Sequence, residues 1–333
     1  PGRAVSGARM MRSALYRQSA RRRALALVAL GALIVLPLVL QAFGQEFYVS
    51  FIARLLIFAL AASSLNFVVG FGGMIAFGHA AFFGVGAYAV AILMENGLAS
   101  AFVAWPIAIG VSVLLALGIG LVSLRTRGVY FIMITLAFAQ MIYYLLISLK
   151  AWGGDDGLSL ATRSTFGPLN LATDAVFYWV VLASLTASLL LLDRITHARF
   201  GRVLQAIREN ELRMEGLGYP VARYKLLCFV IGGGLAGLAG ALIANHGQLA
   251  SPNLLQWTQS GTLLVMVIVG GVGALYGGVV GATALILLEE ILSHFTHHSH
   301  AALGLVLLLV VFRAPKGIAA YFHDLFSRRT GRE

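Results

Sequence analysis

Charge is what this chain has least of. Only 11% of its 333 residues are charged, against about a quarter in an average soluble domain. Acidic residues are the scarcest class, 13 against 24 Lys and Arg, which leaves a formal charge of +11. Cysteine is almost missing. Cys228 stands alone inside an apolar run, so no intramolecular disulfide and no thiolate metal cluster can form. No G-x-x-x-x-G-K-[ST] stretch occurs, which excludes a P-loop, so any ATP that drives this protein is hydrolysed by another subunit.

What is present is oil: 59% of the residues are apolar. A bilayer's hydrocarbon layer takes about 20 apolar residues of helix to cross, so the chain supplies several spans and little else. The composition predicts an all-α, polytopic membrane bundle. Apolar runs broken by polar residues, Gly and Pro mark spans near 24–43, 49–69, 74–94, 101–124, 128–149, 175–192, 224–245, 260–270, 277–292 and 299–312. The last three are shorter than a full crossing, and 260–292 reads as two spans or a re-entrant pair.

The basic residues test that count, because Lys and Arg accumulate in short cytoplasmic loops. All but Arg54, Lys150 and Arg163 lie in a leader at 1–23, beside Arg125 and Arg127, between Arg194 and Lys225, or in a tail at 314–333 together with Arg313. Ten spans with both ends inside place every one of these groups on the cytoplasmic face, with the permeable region over 24–313. Nucleic-acid binding would need the positive charge gathered on one folded face, whereas here it is dealt out between apolar segments. The first span also resembles a secretory signal, with a small-x-small site at Ala42 to Gly44. Its run is longer than the 7 to 15 residues of a signal's apolar region, and it reads as a retained helix.

Small residues four apart let helices approach closely in lipid. Gly233 with Gly237, Ala236 with Gly240, and Gly273 with Gly277 and Gly281 have that spacing. Gly232, Gly234 and Gly237 also fit G-x-G-x-x-G, but no strand precedes them and no acidic residue follows at the distance a dinucleotide site needs.

The cytoplasmic stretch at 194–223 does not read as a plain loop. Val203, Leu204, Ile207, Leu212 and Leu217 recur at helical intervals, with Arg208, Glu209, Glu211 and Arg213 on the wet side and Gly218 and Pro220 as the stop. Such a helix docks on a partner or on the bundle, or lies among the headgroups.

The run Gly201, Arg202, Ala206, Ile207, Arg208, Glu209, Asn210, Glu211, Gly216, Leu217, Gly218, then Lys225 and Gly237 to Gly240, resembles the permeases of branched-chain amino acid ABC importers, the LivM type. So do GFGGMIAFGHAAFFGVGAYAVAIL at 70–93, TRGVYFIMITLAFAQMIYYLL at 126–146 and GGDDGL at 153–158. The likeness covers about 45–320. Permeases for urea and short amides share much of the pattern.

The resemblance implies a bacterial inner-membrane permease that is no enzyme and holds no cofactor of its own. It implies a second homologous permease, two cytoplasmic ATPases that bind the ATP, and a periplasmic or lipid-anchored amino-acid binding protein as partners. Arg208, Glu209, Glu211, Gly216 and Gly218 fall at the position of the helix that couples to an ATPase, and Asp155 and Asp156 at a surface for the binding protein, or on a solvated turn.

Polar residues inside spans tend to face a cavity or another helix, which makes Ser64, Asn66, His79, Thr135 and Gln140 candidates to line the route. Each has a bland counterpart, a back-bonded hydroxyl or a structural histidine. Gly70, Gly72, Gly73, Gly78, Gly84 and Gly86 around His79 fit a broken helix or tight packing. Glu289 and Glu290 read as interface anchors. His294, His297, His298 and His300 invite Zn or Ni, but a flexible loop of this kind holds metal adventitiously, and no functional metal is expected. An intramembrane enzyme would need a catalytic constellation that the spans lack. An ion-coupled carrier would show an ionisable group at mid-membrane and needs no docking helix. On a background with Cys228→Ala, a cysteine at position 211 is expected to react with a membrane-impermeant thiol reagent only from the face that carries the basic loops. Labelling from the opposite face alone would reverse the topology.

Overall fold

The computed structural model describes residues 30–41, 43–165, 171, 173–295 and a few helical positions between 301 and 312. The leader, the tail, and His297, His298 and His300 lie outside them. In the bilayer every backbone amide and carbonyl must find a partner within the protein, and helices do this within a single segment. The apolar runs therefore become α1 (Leu30–Gln41), α2 (Glu46–Asn66), α3 (His79–Glu95), α4 (Ala101–Ser123), α5 (Val129–Ser148) and α6 (Asp174–His197). Two short helices, α7 (Arg199–Glu209) and α8 (Glu211–Gly216), precede α9 (Val221–Gly247), α10 (Trp257–Gly270) and α11 (Gly277–Phe295). Six of the described helices, the one through Phe47–Phe71 and α4, α5, α6, α9 and α11, are long and apolar enough to cross a membrane. The first nine expected spans correspond to α1–α6 and α9–α11. Half of the tenth falls outside the described residues.

Several spans begin a few residues from the expected start, and two of these shifts have a packing reason. The third was expected from residue 74, yet α3 starts at His79. Helix α2 widens into a π turn at Phe67–Phe71, after which the chain runs irregularly to Gly78 with Gly73 at φ +68°. Helix α10 has 14 residues, a length of about 21 Å at 1.5 Å per residue. It starts inside the bundle, because Leu255 just before it packs on Gly84 of α3, and Ser260 Oγ accepts from Ala80 N at 2.9 Å. Irregular backbone at membrane depth survives where it is buried in protein or lines a cavity; before α3, Gly72, Met74, Ala76 and Gly78 are buried while Gly73 and Ile75 are exposed.

The core forms around α9, whose glycines admit three neighbours. Gly237 backbone lies against Gly86 of α3, Gly240 against Phe83 and Ala87, Gly233 against Ala116 and Phe82, and Gly232 against Val68. The expected pairing of Gly233, Gly237, Ala236 and Gly240 is thus used, with Ala236 fully buried. Gly277 and Gly281 pack on α10 at Gly271 and Met266, while Gly273 belongs to the turn. Phe229 meets Phe82 and Phe131 edge-on, at 5.4 and 6.0 Å between centroids, which ties α5 to the centre. Helix α2 is buried from Leu55 to its end, whereas α5 buries one face and leaves Val129, Tyr130, Met133, Met141, Tyr144 and Leu145 outward.

The connections sort into two ends. At one, β1 (Leu158–Ser159) pairs antiparallel with β2 (Leu249–Ala250), Ser164 N donates to Asn245 Oδ1 at 2.7 Å, and Arg163 meets Asp174 at 2.6 Å. At the other end lie the 124–128 loop, α7 and α8, the π turn and the turn between α10 and α11. Here sit most of the described basic residues, as the charge pattern requires.

A Cβ on Gly240 would meet Ala87 N at 3.0 Å and overlap Phe83 O, both fixed backbone. Gly240→Val is therefore expected to destabilise the bundle by about 3 kcal/mol, the upper end for overpacking, read as early loss of the monodisperse peak on heating in detergent. Gly110→Ala, with nothing within 4 Å of its Cβ, is the control expected to leave that profile unchanged.

Candidate translocation and coupling site

Four of the five polar candidates converge on the break between α2 and α3. Ser64 Oγ lies 2.7 Å from Ala61 O and 2.8 Å from His79 Nε2. The hydroxyl has one proton, so when it bonds back to Ala61 it must accept from the imidazole. Asn66 uses both ends of its amide. Its Nδ2 donates to Ala274 O at 2.6 Å and its Oδ1 accepts from Gly273 N at 2.9 Å, so one side chain closes the turn between α10 and α11. Thr135 Oγ1 accepts from Phe77 N at 3.3 Å while donating to Ile132 O at 2.9 Å. Ser64, Asn66, His79 and Thr135 are all fully buried or nearly so.

Gln140 sits further along α5, half-buried, with its Nε2 enclosed. In this conformation Asn66 and Thr135 satisfy backbone that the breaks expose, while Ser64 and His79 pair with each other across α2 and α3. Gly78 is part of the same fit, since its Cβ would press on the Thr135 carbonyl.

The coupling stretch departs from the expected single helix. Asn210 adopts extended backbone and its Oδ1 accepts from Arg213 N at 2.9 Å, capping α8 and breaking the chain from α7. The predicted apolar face consequently divides. Leu204 and Ile207 are buried, and Ile207 joins Met214 and Val221 in a small cluster with Val203 beside it. Leu212 and Leu217 point away, 71% and 66% exposed. Gly218 then ends α8 at φ +82°, with Tyr219 N returning to Met214 O, a glycine-terminated helix as the Gly/Pro signal implied.

Glu211 was expected to stay wet, but it is half-buried and holds Lys225 Nζ at 2.6 Å and Arg127 at 3.5 Å. Arg127 also reaches Glu215 at 2.8 Å. Glu209 and Gly216 are exposed. Arg208 is exposed, as the wet-side reading expects, but its Nη1 donates to Gly70 O at the end of the π turn.

At the far end, Asp155 and Asp156 are exposed on a turn whose Gly153, Gly154 and Gly157 all have positive φ. They are distant from the coupling stretch, separated by the length of the spans. Among the described residues no three metal-binding side chains gather, and His294 bonds only to its own helix at Glu290 O.

Sequence reasoning missed Ser260, which supplies an acceptor to the first turn of α3, and Ser112, whose hydroxyl donates to Phe82 O at 3.1 Å. The polar run from Gln256 to Ser260 ahead of a short apolar segment was the available signal that α10 starts within the bundle. It also missed Gln256, whose Nε2 donates to Tyr143 OH at 3.0 Å and joins α10 to α5.

Residues 47–314 match the family described as branched-chain amino acid transport system / permease component. The chain is 28% identical over 287 residues to the LivM permease protein of the high-affinity branched-chain amino acid transport system of Salmonella typhimurium, covering 79% of this chain and 68% of that one. The Escherichia coli LivM protein is 27% identical with the same coverage. The Escherichia coli LivH permease protein is 26% identical over 151 residues, 45% of this chain and 48% of its own. No solved structure matches. With its many apolar helices, its matched stretch running from α2 past α11, and LivM proteins aligned over most of its length, this multi-pass membrane protein belongs to the family of branched-chain amino acid transport permeases.

Proposed function

We propose that this chain is one half of the membrane channel of a bacterial inner-membrane importer for branched-chain amino acids. It pairs with a second homologous permease and is driven by two cytoplasmic ATPases. Membership of the permease family supports the transport role, and similarity to both LivM and LivH permease proteins supports a system with two kinds of permease chain. The outward faces of α4 and α5 offer the area for lipid and for that second chain.

The observation that carries the coupling reading is the split apolar face at α7–α8. Leu204 and Ile207 anchor the pair of helices to the bundle, while Leu212 and Leu217 stand exposed on a short helix beside Glu209, Glu211 and Gly216. A short helix with apolar anchors and charged flanks fits a groove on a partner. The ion pairs of Glu211 with Lys225 and Arg127 hold α8 against the start of α9 and the 124–128 loop, so a push on α8 reaches both. Asp155 and Asp156, held out by their glycines at the other end, are the surface for an amino-acid binding protein. Ser64, Asn66, His79, Thr135 and Gln140 border the part of the route where spans are broken.

Leu212→Asp with Leu217→Asp places charge on the proposed docking face without touching a buried contact. ATPase recovered with the purified chain is expected to fall by about tenfold or more, since interface anchors are each worth about 1 to 2 kcal/mol or more. Undiminished recovery would remove α8 from the interface. Uptake into proteoliposomes holding the whole transporter, leucine against urea as competitor, checks the substrate class. Leucine is expected to compete and urea not, and transport by the chain alone under an ion gradient without ATP would overturn the importer reading.

A further inference from the structure

The side chain of Arg208 reaches from α7 to the broken spans. It comes from the last turn of the helix and donates through Nη1 to Gly70 O. That carbonyl belongs to the π turn at Phe67–Phe71, where the span ends; the carbonyls of Phe67, Val68 and Val69 accept from the amides of Gly72, Met74 and Gly73, and Gly70 O accepts from Arg208. A cation at this place is favourable both as a donor and against the helix dipole.

The surroundings are shaped to let the guanidinium in. A Cβ on Gly73 would lie 2.9 Å from Arg208 Cγ and 3.4 Å from its Cβ, and a Cβ on Gly273 would lie 3.1 Å from Arg208 Nη1. A Cβ on Gly70 would meet Asn66 Oδ1 at 2.7 Å and overlap the Gly273 backbone. Two glycines, Gly73 and Gly273, thus leave room for the arginine, and Gly70, whose carbonyl it bonds, packs on Gly273. Asn66 completes the joint by tying the end of α2 to Gly273 and Ala274. Through these contacts α7 is joined to the π turn directly and to the α10–α11 turn at one remove.

We propose that Arg208 is a positioning residue inside the permease rather than a contact for an ATPase. It is a pin that makes the two broken-span turns move with the α7–α8 unit. This rests on the reading of α7–α8 as the coupling element, and changes the role of Arg208 within it. Because Leu212 on α8 and Leu217 just after it stand exposed, while Arg208, also exposed, sends its Nη1 to the π turn, docking and transmission fall to different residues. Without the pin, a displacement of α7–α8 would still occur on ATP binding but would be lost before the breaks.

The test uses the complete transporter, with partner permease, ATPases and binding protein, in proteoliposomes. The readouts are ATPase co-elution and amino-acid uptake per ATP hydrolysed, on a Cys228→Ala background as reference. With Arg208→Ala the ATPases are expected to co-elute as in the reference, while uptake per ATP falls by about tenfold, within the range of typical coupling between sites. The second variant combines Gly73→Cys with Arg208→Cys, whose Cβ separation is close to the roughly 3.5 to 4.5 Å of a disulfide. Reduced, it is expected to behave as Arg208→Ala. Oxidised, the covalent link replaces the pin and is expected to restore most of the uptake per ATP, a recovery that a merely destabilised chain would not show.

Loss of ATPase from the Arg208→Ala transporter alone would make Arg208 a docking contact and overturn the pin. So would unchanged uptake in that variant, failure of the cysteines to cross-link, or a disulfide that stops uptake, since the contact would then have to open in each cycle. If the ATPases fail to co-elute with the reference chain itself, it is the importer reading that falls, and the two failures are told apart by that lane.

Discussion

A helix that stops inside a bilayer strands amides and carbonyls where no water can reach them, at a cost of several kcal/mol for each group left unpaired. This chain breaks its helices at two places, between α2 and α3 and ahead of α10, and turns tightly a third time between α10 and α11. The arrangement of its buried polar residues follows from that constraint. Asn66 covers one amide and one carbonyl of the last turn, Ser260 an amide at the start of α3, and Thr135 the amide of Phe77. Arg208 covers the carbonyl of Gly70. Each neutral bond adds only about 0.5 to 1.5 kcal/mol net. Their importance lies in the larger penalty that each removes, and they hold the breaks in one geometry.

The glycines solve the complementary problem. Oil does not drive one helix onto another in lipid, so the approach must come from close packing. Gly86, Gly237 and Gly240 bring α3 and α9 nearly backbone to backbone, and Gly270, Gly277 and Gly281 do the same for α10 and α11. Both contacts leave no room for a methyl group. A bundle packed this tightly transmits displacement as rigid bodies, which makes its irregular turns the natural places for relative motion.

Much of this was legible in the chain itself, and what was not has a physical reason. Apolar length located the spans, because hydrocarbon thickness acts on every one of them alike. Glycine spacing located α9 as a packing helix, since Gly233, Gly237 and Gly240 share one face. The polar residues Ser64, Asn66, His79 and Thr135 stood out within apolar runs, and all four fall at the α2–α3 break. Which partner each would find was hidden, because Asn66 and Gly273 are joined only by tertiary folding. The start of α3 at His79 rather than residue 74 was hidden too, for an apolar count cannot distinguish helix from irregular chain buried in protein. Within 194–223 the periodicity of Leu204 and Ile207 was read correctly. The capping geometry of Asn210 broke that period and sent Leu212 outward.

The ties at the basic end differ in stiffness, and the difference sets where a push on α8 goes. Arg127 and Glu215 are both largely exposed, their side chains 59% and 42% accessible. A pair of that kind contributes about 0 to 1 kcal/mol and yields easily. Lys225 and Glu211 are more enclosed and join α8 to α9 more firmly. The buried contacts of Leu204 and Ile207 have no solvent to relax into, and the Arg208 guanidinium is tied to Gly70 O beside Gly73 and Gly273. Motion imposed from outside therefore passes mainly through α7 into the broken spans and along α9 into the core, and least into the 124–128 loop. The amphipathic stretch between α6 and α9 acts as a lever because its firm attachments all lie on the side turned toward the bundle, and its exposed leucines on the other.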